Sequence, residues 1–423
     1  MDNINEIQRK LEDYLPSPVL QKEGLQTLSE DFIPDKPIHR DRHILELGKR
    51  IKEFLEFNTI GTIFLEGSPG TGKTMCFLIV KKILENLISS KKLRGEIVYV
   101  KGREKTVHRI LREILRNIGI SIGEKTSFGE AISILEDETS KKPIHVCIDE
   151  VDLIRTYKTG GYCSPSVEDL LYYFSRTPNL SVTIITNNFR FIETLSDARV
   201  KSSITKDRTI FFENYTFEQL VDIFQYRISL AFRKGAVPDN MIEKLARIVY
   251  ETTGDVRHGL EVLRYAAIIC TNWGKEVVDD TVLEAAIELR RTKEMINKIL
   301  GLSLTHRAIL ASYYLNFRKS GKKEQTTQEM YEIYQELMEN SKKTVVDLNT
   351  FRNKVLDLVT MNLLEQTKIG KGRGKGVDKL YTVGIPTVTL NEAIMSDPDL
   401  SESVKSLVRD MINKRIERVR YFQ

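Results

Sequence analysis

The residues best suited to chemistry lie in one run, Gly67, Ser68, Pro69, Gly70, Thr71, Gly72, Lys73 and Thr74, which spells GxxxxGKT. Glycines at this density let backbone N–H groups converge on phosphate oxygens, and a helix beginning at the lysine adds its partial positive end. Lys73 is expected to meet the β- and γ-phosphates of ATP, and the Thr74 hydroxyl to ligate Mg²⁺. A second pair, Asp149 and Glu150, closes an apolar run. Asp149 suits Mg²⁺ held through water, and Glu150 suits orienting or deprotonating the attacking water. Asn187 ends the next apolar run and offers an amide to that water or to the γ-phosphate. Phosphoryl transfer also asks for a cation near the equatorial oxygens. Arg257, where a Gly-Asp turn opens a helix, is one candidate, and Arg199, just before "TIFFE", is the other. For Arg199 the sequence leaves open whether it reaches a neighbouring protein's nucleotide or is simply solvated.

These groups need a scaffold that brings them to one edge. The segment "TIGTIFLEG" precedes the glycine-rich turn, and three more short apolar segments follow: "EIVYV" (96–100), "IHVCIDE" (144–150) and "SVTIITNN" (181–188). Near-continuous β-branched runs alternating with helical stretches such as "EKTVHRILREILRNIG" and "SFGEAISILEDE" predict an α/β fold with a parallel sheet covered on both faces. In such a sheet the strand C-terminal ends meet the ligand crevice, where Asp149, Glu150 and Asn187 stand.

A chain of 423 residues, 41% hydrophobic and 29% charged, has ordinary globular composition, which argues against disorder throughout. No apolar run suffices to cross a bilayer, and "MDNINEIQRK" lacks the order of a secretory signal, so a cytoplasmic, nucleoid-associated protein without a membrane partner is expected. The four cysteines are scattered with no pair at zinc or redox spacing, and three of them, in apolar or helix-like surroundings, predict buried thiols rather than ligands. From residue 301 onward there are 20 Lys+Arg against 15 Asp+Glu, whereas the first 300 residues hold 44 against 44. The whole basic excess therefore lies in the last part, which points to an anionic partner there.

That part changes pattern. "SLTHRAILASYYLNFR", "TTQEMYEIYQELMEN" and "NTFRNKVLDLVTMNLLE" (349–365) predict three helices, and "EQTKIG" and "DKLYTVG" predict two strands joined by "GKGRGKG". Three helices and a hairpin make a winged helix, a helix-turn-helix variant. In the third helix Phe351, Val355, Leu358, Val359 and Leu363 form the packed stripe, while Thr350, Asn353, Lys354 and Asp357 fall on other faces. Thr350, Asn353 and Lys354 are expected to meet base edges or phosphates of duplex DNA. In the wing Lys368, Lys371, Arg373, Lys375 and Lys379 face a lone Asp378. Arg373 suits a narrow minor groove, with Lys371 and Lys375 on phosphates. The last segment, "LSESVKSLVRDMINKRIERVRYF", is a basic amphipathic helix that packs on the winged helix or contacts DNA.

In combination, "IHRD" (38–41), "GSPGTGKT" (67–74), "CIDEVDLI" (147–154), "TNN" (186–188), "DARVKSS" (197–203) and "GDVRHGLEVLR" (254–264) resemble the AAA+ ATPases, and among them the archaeal replication initiators related to eukaryotic origin recognition subunit 1 and its loading-factor relative. The resemblance spans about Ser29 to Gly384. It implies an AAA+ P-loop core over 1–215 with an N-terminal extension over 1–28, a helical lid over 216–295, and a winged-helix domain over 296–423. It implies that Asn187 is the sensor-1 residue, that Arg257 is the sensor-2 arginine, and that His39, Arg40 and Tyr215 lie by the nucleotide. Many relatives carry arginine where Ser203 stands, which leaves Arg199 as the trans-acting candidate. The loop "RTYKTGGYCSPS" is longer and more polar than the family's, beside the place of a DNA-touching helical insertion. The implied activity is slow, regulatory ATP hydrolysis in a protein that binds double-stranded origin DNA with ATP or ADP and Mg²⁺, beside paralogous initiator subunits and a replicative helicase. Two other readings stay open: a remodeller or loader whose winged helix binds protein, and a winged-helix transcription regulator that holds nucleotide as a structural ligand.

Overall fold

The computed structural model describes residues 17–58, 61–159, 162–203, 209–370 and 377–409. The chain falls into two compact units, 1–286 and 287–423, with the division inside the helix Asp280–Leu300. Strands of the first unit are β1 (Thr62–Gly67), β2 (Glu96–Lys101), β3 (Ile144–Asp149), β4 (Lys158–Thr159), β5 (Tyr162–Cys163), β6 (Leu180–Thr186) and β7 (Thr209–Phe212). Five of them form one parallel sheet in the order β2-β3-β6-β1-β7.

Alternation along the strands explains why both faces are covered. Phe64, Val146, Ile148, Val182 and Ile184 pack with the helices Val107–Asn117, Phe128–Lys141 and Val167–Phe174. Ile63, Leu65, Cys147 and Ile185 point the other way, onto the helices Asp41–Phe57 and Lys73–Ser89. Every residue of β3 and β6 is buried, so no position in them can be polar without a partner. His145 in β3 obeys this: its ring nitrogens meet Ser181 Oγ at 3.2 Å and Thr183 Oγ1 at 2.9 Å. Burial pushes its pKa down to about 3, which keeps it neutral. Three helices follow the sheet: Phe217–Ala231, opened by a Thr216/Gln219 capping box, Asp239–Thr252, and Val256–Trp273, capped by Asp255.

The second unit has the helices Leu304–Ser320, Thr327–Asn340, Leu348–Thr360 and Thr387–Met395, and a sheet of β8 (Gln325–Thr326), β9 (Leu364–Gly370) and β10 (Val377–Val383) in the antiparallel order β8-β10-β9. Its core gathers Leu310, Tyr334, Phe351 and Leu358. The third of these helices ends at Thr360, five residues before the end expected from sequence. Asn362 takes a φ of 58°, breaks the helix, and turns Leu363 and Leu364 into the start of the wing. Both leucines stay buried, which is why the apolar periodicity of the helix runs on past its end. The polar loop after Glu150 carries the small β4–β5 hairpin. Residues 401–409 are helical, and Leu400, Val404 and Leu407 are buried in the core of the second unit, so the start of the final segment packs back on the winged helix. Cys76, Cys147 and Cys270 are free, buried thiols. Among the described residues no helix is long and apolar enough to cross a membrane, and no cluster of three or more His, Cys, Asp or Glu side chains could hold a metal ion.

Candidate functional site

At the C-terminal edge of the parallel sheet lies a cavity of about 510 Å³, walled on one side by the glycine-rich loop and on the other by the first and third of the three helices that follow the sheet. The loop is shaped by conformation and by close approach. Gly70 has φ 74° and Gly72 φ 91°, and a Cβ at Gly70 would collide with the Asp255 carboxylate. Gly72 is the N-cap of the helix Lys73–Ser89 and makes no side-chain cap hydrogen bond. Thr71 donates its hydroxyl to the Ser68 carbonyl at 2.8 Å, and Lys73 Nζ donates to the carbonyls of Gly67 and Ser68 at 2.7 and 2.8 Å. Pro69, Gly70, Gly72, Lys73 and Thr74 reach the cavity wall. Lys73 is only 5% exposed, and this burial pushes its pKa down to about 8 against the opposing pull of Asp149.

The acidic pair sits opposite. Asp149 Oδ2 accepts from Thr74 Oγ1 at 2.8 Å and from Tyr99 OH at 2.7 Å, and Oδ1 accepts from the Glu150 amide at 2.9 Å. Glu150 lies in the left-handed region at φ 53°, which turns the chain sharply at the strand end, and Arg103 Nη1 stands 3.7 Å from its carboxylate. Burial and the neighbouring Asp149 charge push the Tyr99 phenol well above its ordinary value. Asn187, directly after β6, is exposed and lines the same cavity.

Arg257 also lines the cavity and is half-exposed. Asp255 holds it from two sides, Nη2 to Oδ2 at 2.6 Å and Nε to Oδ1 at 3.0 Å. Burial works to raise the Asp255 carboxyl, but the bonds and charge of Arg257 outweigh it and keep the carboxyl below its usual range. The cavity wall also includes the apolar side chains of Phe32, Ile38, Ile223 and Leu260. Arg227, buried there, donates to the Ser29 carbonyl at 2.8 Å and stacks 4.7 Å over the Phe32 ring. Tyr215 is buried on the wall, and its burial raises its pKa to about 12.

The other expected residues are placed differently. Arg40 is buried behind the loop, 3.9 Å over the Tyr215 ring, and donates to the carbonyls of Thr71 and Glu213 at 2.9 and 2.8 Å. It braces the loop from outside the cavity, whose wall takes Ile38 instead. His39 Nε2 meets Asp222 Oδ2 at 2.7 Å, on the helix Phe217–Ala231. Arg199 is exposed, held by Asp197 at 2.7 Å and 5.2 Å from the Tyr172 ring, away from the cavity. Sequence reading did not single out Tyr99, Arg103, Asp255 or Arg227. Asp255 alone carried a signal, as a capping residue just before a helix. The others meet their partners only through the fold.

The residues present fit a magnesium nucleotide. A glycine loop in which a Cβ at Gly67 or Gly70 would collide, a helix start without a side-chain cap and a buried lysine suit phosphates, and apolar wall residues suit a flat base. The touching Thr74 hydroxyl and Asp149 carboxylate are hard oxygen donors of the kind Mg²⁺ takes alongside phosphate.

In the second unit Thr350 donates to Asp347 at 2.6 Å, Asn353 is exposed, and Lys354 pairs with Asp357 at 2.9 Å. Lys371, Arg373 and Lys375 lie outside the described residues. At the base of the wing the antiparallel register sets Lys368 directly opposite Lys379, both exposed, and neither has a carboxylate partner among the described residues. Like charges in that position destabilise a hairpin.

Comparison with known proteins agrees with this arrangement. Residues 221–288 match the Cdc6 AAA+ ATPase-type lid domain, and residues 297–393 match the CDC6 C-terminal winged helix domain. The chain is 31% identical over 362 residues to ORC1-type DNA replication protein 1 of Archaeoglobus fulgidus, covering 82% of this chain and 84% of that protein. It is 27% identical over 381 residues to the protein of the same name from Methanothermobacter thermautotrophicus, covering 87% and 94%. Among solved structures, the Aeropyrum pernix ORC1 protein in complex with DNA superposes with a TM-score of 0.72 at 26% identity, covering 92% of this chain and all of that one.

Proposed function

The chain belongs to the family of ORC1-type DNA replication proteins, an AAA+ ATPase-type family, and from that premise we propose that it is an ATP-regulated initiator that binds double-stranded origin DNA and promotes helicase loading. Its core, over 1–215, and its lid, over 216–295, take ATP or ADP between them, and its winged helix, over 296–423, takes the duplex. The observation that carries the DNA part is the Lys368–Lys379 pair: a charge conflict that costs the free hairpin stability is relieved by a phosphate backbone. Thr350, Asn353 and Lys354 on the third helix, and Lys371, Arg373 and Lys375 at the wing tip, supply the remaining contacts, mostly to phosphate, with few to bases.

On the nucleotide side, Lys73 meets the terminal phosphates, and Thr74 with Asp149 holds Mg²⁺, which when bound neutralises charge on the β- and γ-oxygens. Glu150 orients the attacking water and takes its proton, with Asn187 beside it. Arg257, already poised by Asp255, stabilises charge on the transferring group. Arg199, exposed and clear of this chain's own cavity, is free to serve the nucleotide of a paralogous subunit. Because core and lid share the cavity wall, the occupant sets the angle between them, and hydrolysis is slow and regulatory. The protein acts in the cytoplasm at the nucleoid.

The test is a footprint on origin DNA with ATP or ADP, comparing the wild type with an Arg373→Ala/Lys375→Ala double variant. Loss of protection mainly at one flank of the footprint is expected; equal protection by both proteins overturns the wing assignment.

A further inference from the structure

We propose that Tyr99 is a positioning residue for the metal-holding carboxylate: it clamps Asp149 across the sheet and sets how tightly Mg²⁺ engages the nucleotide. The inference rests on the nucleotide reading above. Asp149 is 4% exposed, so its charge has lost most of its water and needs protein donors in exchange. Lys73, the nearby cation, spends its ammonium on the Gly67 and Ser68 carbonyls. What holds the carboxylate is therefore the Glu150 amide on Oδ1 and two hydroxyls, Thr74 and Tyr99, on Oδ2.

The two hydroxyls are not equivalent. Thr74 belongs to the phosphate loop and is itself offered to the metal, so its oxygen must serve both the carboxylate and the ion. Tyr99 has no such second task. It stands on the edge strand β2, where the register sets it opposite Cys147, two residues before Asp149, and its phenol reaches along the sheet to the carboxylate. Its ring is fixed by stacking at 6.0 Å on Phe77, a fully buried residue of the helix that begins at Lys73. One aromatic pair thus ties the phosphate-loop helix, the edge strand and the carboxylate together. A donor locked in this way fixes which lone pairs of Asp149 stay open to the metal, which lowers the rearrangement needed when the ion arrives.

The experiment uses the full-length protein and the Tyr99→Phe variant, which keeps the ring and its stacking and deletes one hydroxyl. Affinity for a fluorescent ADP analogue is measured as a function of Mg²⁺ concentration and again in EDTA. The expected result is that the Mg²⁺ concentration giving half of the metal's effect rises about 10-fold, at the lower end of the range for outer-shell partners, while affinity in EDTA is unchanged. The same Mg²⁺ midpoint in both proteins overturns the proposal, as does equal weakening with and without the metal, which marks a residue that only shapes the pocket. A wild type whose nucleotide affinity ignores Mg²⁺ overturns the metal site as well, so failure of the clamp and failure of the site are told apart.

Discussion

The proposed phosphate cradle and the proposed DNA-facing surface of the second unit are built on opposite principles. In the cradle, Arg40, Lys73 and Asp149 are each 5% exposed or less; Arg40 and Asp149 are fixed by hydrogen bonds to residues far away in sequence, and Lys73 by two carbonyls of its own loop. On the third helix of the winged unit, Asn353 is exposed and Lys354, among the described residues, pairs with its helical neighbour Asp357 alone. A buried, mutually bonded site fails as a whole when one member is removed, because the partners are stranded without water. An exposed cationic surface acts through summed, screened charge, so its members are lost one increment at a time. The largest expected effect therefore lies in the cradle. Lys73→Ala should weaken ATP and ADP binding by about 100-fold or more, read by fluorescence titration or calorimetry. A loss no greater than that from removing one surface lysine would break the contrast.

The winged unit should respond differently. Two fewer phosphate contacts lower the slope of log affinity against log salt by about 2, so the gap between wild type and the Arg373→Ala/Lys375→Ala variant should shrink about 15-fold between about 50 and 200 mM salt. Fluorescence anisotropy with a duplex at several salt concentrations checks this, and parallel lines for the two proteins would place the wing tip off the phosphates. The cradle variant, by contrast, should show a nucleotide defect that barely responds to salt over the same range, since buried pairs are poorly screened.

Legibility in the sequence divides along the same line. Four of the five parallel strands are readable because a strand buried on both faces must be apolar nearly throughout, as β3 and β6 are; the short edge strand β7 is buried at only two of its four positions and carries a weaker signal. The phosphate loop was readable because its glycines meet a backbone demand, visible at Gly70 and Gly72. The supporting bonds were not: Arg40 reaches Glu213 across 173 residues and Tyr99 reaches Asp149 across 50, distances over which no local pattern carries information. In the winged unit, the third helix was read too long because Leu363 and Leu364 remain buried after the chain has turned at Asn362. The strand β8 escaped because it is two residues long and exists only through its pairing with Leu380 and Tyr381. Family resemblance set His39 and Arg40 beside the nucleotide as a pair, yet the fold turns His39 to Asp222 and sends Arg40 behind the loop, a division of labour that adjacent residues do not reveal.

The smallest effect is also the one that tests burial of the cradle most directly. Desolvation lowers the Lys73 pKa to about 8, partly opposed by Asp149. A bound phosphate favours the charged ammonium and raises that pKa, so binding takes up a proton wherever the free protein has begun to lose it. The sign follows: nucleotide affinity is steady below this value and declines as pH rises through about 8, by no more than about 10-fold between pH 7 and 9 for a single proton. Calorimetry in buffers of different ionisation enthalpy should show net proton uptake at the alkaline end. A Lys73→Arg protein that still binds supplies the control, because guanidinium stays charged across this range and the decline should vanish. A wild-type affinity that is flat to pH 9 would mean that water reaches the ammonium in solution, and the cradle would then resemble the wing more closely than its burial implies.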